Sequence, residues 1–270
     1  AGIGASAQNW IETRPEAKPY TRWWWLGSAV DTANISYTLN EYARAGIGGV
    51  EITPIYGVQG NDKNDIPYLS PKWMKMLAHV ETTGAATGIE TNMSTGTGWP
   101  FGGPLVSVDD AAAKAIFQQY DVDVTKKGQT LNVACTDAKQ QKFARLDKVM
   151  AYKLSKGGNR KVVDLTFATD KATGEVSLAA LGKGKWHIVA LHIGRTRQMV
   201  KRAAPGGEGY VIDHFNRDAV SRYLARFDTA FVNQGVRPPH TFFNDSYEVY
   251  GADWTPLLLD EFAKRRGYRL

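Results

Sequence analysis

An α/β fold interrupted by a β-rich insertion is predicted for this chain, and three observations predict it. From Tyr20 to Met93, strand-like and helix-like runs alternate with short links, the pattern of a parallel sheet covered by helices. From about residue 120 to 205 the pattern becomes short apolar runs separated by glycine-rich turns. From Gly209 onward the strand–helix alternation returns.

Tyr20–Leu26 (YTRWWWL) reads as a short buried strand ended by Gly27 and Ser28. Asp31 then caps a helix whose Ile35, Leu39, Tyr42 and Ala43 share one face, and Gly46 stops it. Gly49–Thr53 is the next strand, broken by Pro54. Ser70 and Pro71 open a second helix, with Trp73, Met76, Leu77 and Val80 at helical spacing, and Gly88 closes it before a strand over 89–93. In the middle region, runs over 149–154, 161–165 and 185–191 read as strands, with Gly157-Gly158-Asn159 and Gly182-Lys183-Gly184 as turns. His187 and His192 read as strand residues rather than ligands, because no second metal-type residue stands at ligand spacing. Further on, Asn216 caps a helix striped by Val220, Tyr223, Leu224, Phe227 and Phe231. Thr241–Phe243 is a short strand, and Thr255 with Pro256 starts a last helix lined by Leu258, Leu259 and Phe262. About five βα-type strands lie outside the insertion, whereas a closed (β/α)8 barrel needs eight. Two architectures follow: the N-terminal part of a TIM-type barrel, or a complete open sheet of five strands. On the barrel reading, residues 1–119 are its first part, 120–205 the insertion and 206–270 its continuation.

Composition narrows the function classes. With 43% hydrophobic and 22% charged residues over 270 positions, the chain has the make-up of a globular protein with a substantial core. No apolar run approaches the ~18 residues of a membrane span. The net charge of +6 comes without a basic helix or arginine-rich tract; it reads as a solvated basic surface, not a nucleic-acid site. Cys135 is the single cysteine, which excludes a disulfide framework and a cysteine-based zinc site. Ala5-Ser6-Ala7 has the small-x-small form of a signal-peptidase site, and an exported protein, periplasmic or extracellular, is expected on that basis.

Chemistry concentrates at strand ends, where the loops of α/β folds converge. Asn244, Asp245 and Glu248 follow the strand Thr241–Phe243 and are interleaved with Tyr247, Tyr250 and Trp254. Carboxylates among aromatic rings suit a sugar, whose C–H faces pack on rings while its hydroxyls bond polar groups. The other reading is a polar loop whose Asp245 caps a turn. The glycine-rich loop 94–104 lacks G-K-[ST] and GxGxxG spacing, which argues against a nucleotide; Trp99 within it offers an aromatic plate or packs inward. Asp213-His214, at a strand end before a helix, forms a second polar corner, or Asp213 bonds the helix-start amides.

Read in order, Arg22-Trp23-Trp24-Trp25, the run from Glu41 to Ile52, Gly98–Pro104, Val211-Ile212-Asp213-His214, Asp245-Ser246-Tyr247-Glu248, Trp254-Thr255-Pro256 and Arg265-Arg266-Gly267-Tyr268 form a set. This set resembles the N-terminal catalytic region of glycoside hydrolase family 106, the α-L-rhamnosidases. The resemblance implies a (β/α)8 barrel with a β-rich insertion in a longer exported enzyme. It implies cleavage of terminal α-L-rhamnose with inversion, assisted by a bound calcium, and makes Glu248 one of two catalytic carboxylates. Inversion requires a second carboxyl about 6.5–9.5 Å away; the resemblance puts it beyond Leu270, and Glu51 is the internal candidate. Trp25, Trp99, Asp213, His214 and Asn244 are expected to line the cleft, with Asp245 positioning substrate or binding metal. A barrel glycosidase of another specificity and a non-catalytic carbohydrate-binding protein are the alternative functions.

Overall fold

The structure is a computed structural model describing residues 13–154 and 160–270. The Ala5-Ser6-Ala7 motif and the Gly157-Gly158-Asn159 turn lie outside the described residues. The chain divides into two compact units. The first comprises residues 1–104, 200–209 and 223–247; the second comprises 105–199, 210–222 and 248–270.

The first unit is built on a parallel sheet. Strand β1 (Tyr20–Leu26) leads through helix α1 (Thr32–Arg44) to β2 (Gly49–Ile55), then through α2 (Pro71–Thr87) to β3 (Glu90–Ser94). The strand Thr241–Phe243 pairs parallel with β3, so the order is β1, β2, β3, then 241–243. The predicted caps form: Asp31 accepts the Asn34 N–H at 2.9 Å, and Ser70 Oγ accepts that of Trp73 at 3.3 Å. Gly88 closes α2 in the left-handed conformation that glycine adopts freely. Pro54 does not break β2, which runs on to Ile55. Pairing with β3 ends at Ile52, so the missing proline N–H interrupts no ladder on that side.

Alternation along β1 sorts its tryptophans. Trp23 and Trp25 turn toward the helices, where Trp23 meets Tyr42 edge-on at 6.1 Å and Trp25 meets Trp73 at 5.5 Å. The Trp73 indole N–H donates to Ser28 Oγ at 3.0 Å, which satisfies the polar group of that buried ring. Arg22 and Trp24 share the opposite, open face.

Helix Arg217–Gln234 buries Ala219, Tyr223, Phe227 and Phe231. The predicted stripe is thereby corrected at two places: Val220 is only half-buried and Leu224 is exposed, since the buried line follows four-residue steps. Asn216 caps this helix as predicted, accepting the N–H groups of Asp218 and Ala219.

The second unit contains a four-stranded antiparallel sheet of Ala113–Val124, Gly184–Arg195, Arg145–Leu154 and Arg160–Asp164, in that spatial order. A strand pair, Thr130–Asn132 with Glu175–Ser177, accompanies it. Its core gathers Val149, Ala151, Leu165, Val176, Trp186 and Ile188. His187 pairs with Asp121 at 2.8 Å, and His192 is buried. The last helix begins at Leu258 rather than at Pro256, and Thr255 does not cap it. Thr255 instead sits beside Asp213, its hydroxyl buried. Among the described residues no helix is long and apolar enough to cross a membrane.

Candidate functional site

In the first unit, one row of side chains crosses the open face of the parallel sheet in register: Arg22, Glu51, Asn92 and Thr241. Each comes from a different strand, so the row exists only once the sheet has formed. Arg22 organises it. Its Nε donates to Glu51 Oε1 at 2.8 Å and its Nη1 to Asp245 Oδ1 at 2.9 Å. The guanidinium also lies 5.2 Å from the Trp24 ring and 4.9 Å from the Phe243 ring. Phe243 belongs to the far edge strand, so this contact spans the sheet over one face. A planar guanidinium suits the arrangement, because its fork serves two carboxylates while its faces stack on rings. Side chains of Arg22, Glu51 and Asp245 keep 33%, 24% and 29% of their surface accessible. The pairs therefore stabilise the fold by no more than about 1 kcal/mol each. They leave carboxylate oxygens, an aromatic ring and a cation available on an open face.

Around this row the loops are stitched together. Thr95 N–H donates to Phe243 O at 2.9 Å and Phe101 N–H to Ser246 O at 3.0 Å. Trp99 is half-buried and exchanges backbone hydrogen bonds with Lys201, at 3.0 and 2.7 Å. Gly98 permits that exchange: its φ is +56° and a Cβ there would fall 2.1 Å from Lys201 O. Asn244 is half-buried, next to Asp245. Trp25, expected in the cleft, is corrected by the structure: it is 1% exposed beneath α2, while Trp24, 45% exposed, is the ring on the open face.

The remaining expected residues belong to the second unit. Glu248 is exposed, and its backbone is held by Gln198. Asp213 is 3% exposed, and burial pushes its carboxyl above the ordinary range although the Phe215 N–H donates to it at 3.1 Å. That partner precedes the helix, whose first amides Asn216 accepts instead, so Asp213 braces the turn before the helix rather than its start. His214 is half-buried, its ring 4.2 Å from that of Phe215, and burial lowers its pKa. Arg195, 5% exposed, donates to Ala111 O at 3.1 Å.

Sequence reasoning missed Arg22 and Trp24 as site residues. Strict alternation along YTRWWWL carried the signal, since Arg22 and Trp24 must face opposite to Trp23 and Trp25. Among the described residues no group of three or more His, Cys, Asp or Glu side chains is arranged to hold a metal ion. Glu51 and Asp245 already carry their charge against Arg22, so this donor set does not fit calcium.

Comparisons with known proteins bear on this geometry. A family model described as alpha-L-rhamnosidase matches residues 12–158 and 138–270. A protein of Formosa agariphila named "Putative beta-glucuronidase" is 25% identical over 290 residues, covering 94% of this chain and 25% of its own length. In three dimensions the chain matches a rhamnosidase from Novosphingobium sp. PP1Y with a TM-score of 0.69 and 15% identity, across 96% of this chain and 41% of that one. That second likeness is one of fold. The chain spans a quarter of the curated relative and less than half of the solved structure.

Proposed function

This chain belongs to the α-L-rhamnosidase family of glycoside hydrolases, family 106, and from that premise we infer that it is part of an exported enzyme removing terminal α-L-rhamnose from saccharides. The observation that carries the reading is the Arg22-centred row: carboxylates and an aromatic ring gathered at one face of a parallel sheet within a chain of this family. In this reading β1, β2, β3 and Thr241–Phe243 are four strands of a (β/α)8 barrel, completed by strands outside the chain.

Hydrolysis with inversion needs one carboxylic acid to protonate the leaving oxygen and one carboxylate to activate water from the opposite side. Glu248 is one of these groups. Glu51 is the internal candidate for the other, but its bond to Arg22 favours a holding role: it fixes a sugar hydroxyl while a carboxyl outside this chain completes the pair. In the first unit, Trp24, Trp99 and Asn244 supply ring and amide surfaces suited to a sugar.

Assay of the full-length protein with aryl α-L-rhamnosides tests the reading. Wild type should release rhamnose, first as the anomer of inverted configuration, and Glu248→Gln should lower turnover at least about 100-fold with the fold intact. Wild-type turnover in that variant would remove Glu248 from the mechanism. One observation favours a second reading, a uronide-cleaving enzyme: the relative carrying the glucuronidase name. Aryl β-glucuronides assayed alongside decide between them by the ratio of kcat/KM.

A further inference from the structure

The loop that carries Glu248 leaves the strand region and enters the second unit, where one side chain grips its backbone. Gln198 Nε2 donates to Glu248 O at 2.9 Å, and Gln198 Oε1 accepts the Tyr250 N–H at 2.8 Å. A single amide thus supplies the donor and acceptor that a neighbouring strand would otherwise provide. We propose that Gln198 is a positioning residue for Glu248, holding the loop so that its carboxyl meets the glycosidic bond; this rests on the reading of Glu248 as a reacting group.

Gln198 is itself held firmly. Its carbonyl accepts the Val211 N–H at 3.0 Å and its N–H donates to Thr196 Oγ1 at 3.3 Å. The preceding residue, Arg197, has φ +59°, a left-handed conformation that strains a non-glycine residue. Tertiary contacts hold it there: Arg197 Nη1 donates to Lys139 O at 3.1 Å, and its guanidinium lies 5.8 Å from the Phe143 ring. The chain accepts local strain at the one place that aims Gln198 at the loop.

The far end of the loop is fastened independently. Asp253 Oδ1 accepts the Ala115 N–H at 2.8 Å, Trp254 bridges to Ala113, and the Trp254 ring meets Phe117 edge-on at 6.4 Å. Strand Ala113–Val124 and the segment after strand Gly184–Arg195 therefore hold the two ends of residues 248–254. On this account the β-rich region is the jig for a reacting carboxyl. Such holding matters because a displacement of ~1 Å can cost about 100-fold in rate.

The experiment uses the full-length protein with an aryl α-L-rhamnoside and four forms: wild type, Glu248→Gln, Gln198→Ala and Gln198→Glu. Gln198→Ala should lower kcat about 10- to 100-fold with KM changed less than about threefold. It should also shift the limb of the pH–rate profile that Glu248→Gln abolishes, a change that mere loss of folded protein does not produce. Gln198→Glu keeps the side-chain shape and the acceptor for Tyr250 N–H but loses the donor to Glu248 O, and should fall in kcat as well. If Gln198→Ala fails to fold, Gln198→Glu decides alone. Unchanged kcat in the folded Gln198 variants, with Glu248→Gln inactive, overturns this proposal and leaves the function standing. Full activity in Glu248→Gln overturns both.

Discussion

The two units meet the same requirement, satisfying polar groups beside a core, in different ways. In the parallel-sheet unit, charged side chains at the open face pair with one another across strands, as Arg22 does with Glu51 and Asp245. The β-rich unit holds charge pairs too, such as Arg145 with Asp109 and Arg222 with Asp110, but adds glutamine side chains that stand in for missing backbone partners. Gln140 brackets Arg195, with bonds of 2.9 and 3.0 Å to its C=O and N–H. Gln118 bonds Ala134 O and Thr136 N–H, Gln129 bonds Asp123 O and Thr125 N–H, and Gln198 bonds Glu248 O and Tyr250 N–H. The difference follows from topology. Short βα links place β1, β2 and β3 side by side, whereas long antiparallel strands end in irregular segments whose amides need substitutes. Pairing charges leaves an adjustable, chemically active surface; bracketing backbone produces rigidity.

The largest effect should come from the aromatic layer of the first unit. Trp73→Ala removes a ring packed against Trp25 and Tyr68, and should cost about 3–5 kcal/mol in chemical denaturation of the full-length protein. A loss below 1 kcal/mol would mean that this layer is not what holds the sheet to its helices. Next, Gln140→Ala strands a buried N–H and C=O of Arg195, and a loss of about 1–3 kcal/mol is expected.

The units should also differ in pH response. Burial raises the Glu81 carboxyl in the first unit from 4.5 to about 7. The folded state therefore binds the extra proton between those values, and stability falls as pH rises through that window. Glu81→Gln should match wild type at pH 4 and exceed it at pH 8. In the second unit, burial holds His192 below its ordinary 6.5. There the unfolded chain binds the extra proton, so stability is lost as pH falls below 6.5, and His192→Leu should flatten that acid limb. Equal slopes in both variants, followed by thermal unfolding across pH, would erase the contrast.

The smallest stability effect belongs to Arg22→Lys, because the pairs it weakens are partly exposed: about 1 kcal/mol or less. Hydrolysis by the same variant should nonetheless fall measurably, since an ammonium cannot fork to both carboxylates.

Much of this was legible in the residues themselves. Asp31, Ser70, Gly88 and Asn216 sit at the helix ends their side chains predict, because capping is a local transaction between a side chain and amides two or three residues away. The strand–helix alternation from Tyr20 onward was equally readable, since periodicity records which face is buried. Errors arose where a distant partner overruled local preference. Thr255 has the form of a helix cap but lies beside Asp213, some forty residues upstream, and Pro54 continues a strand because it stays paired with β1 after β3 has stopped pairing on the other side.

The candidate site divides the same way. Sequence by itself determined the family and singled out Asp245 and Glu248 in the loop after a strand; Glu51, read as standing at a strand end, lies inside Gly49–Ile55 because the strand runs on past Pro54. Only the tertiary structure decided that Trp24 rather than Trp25 faces the open side, and that Arg22 joins two carboxylates separated by nearly two hundred residues. It alone revealed that Gln198 grips the backbone at Glu248. Hydrogen bonds and ion pairs between segments far apart in the chain have no period and no spacing. They come into being only when folding sets the strands in register.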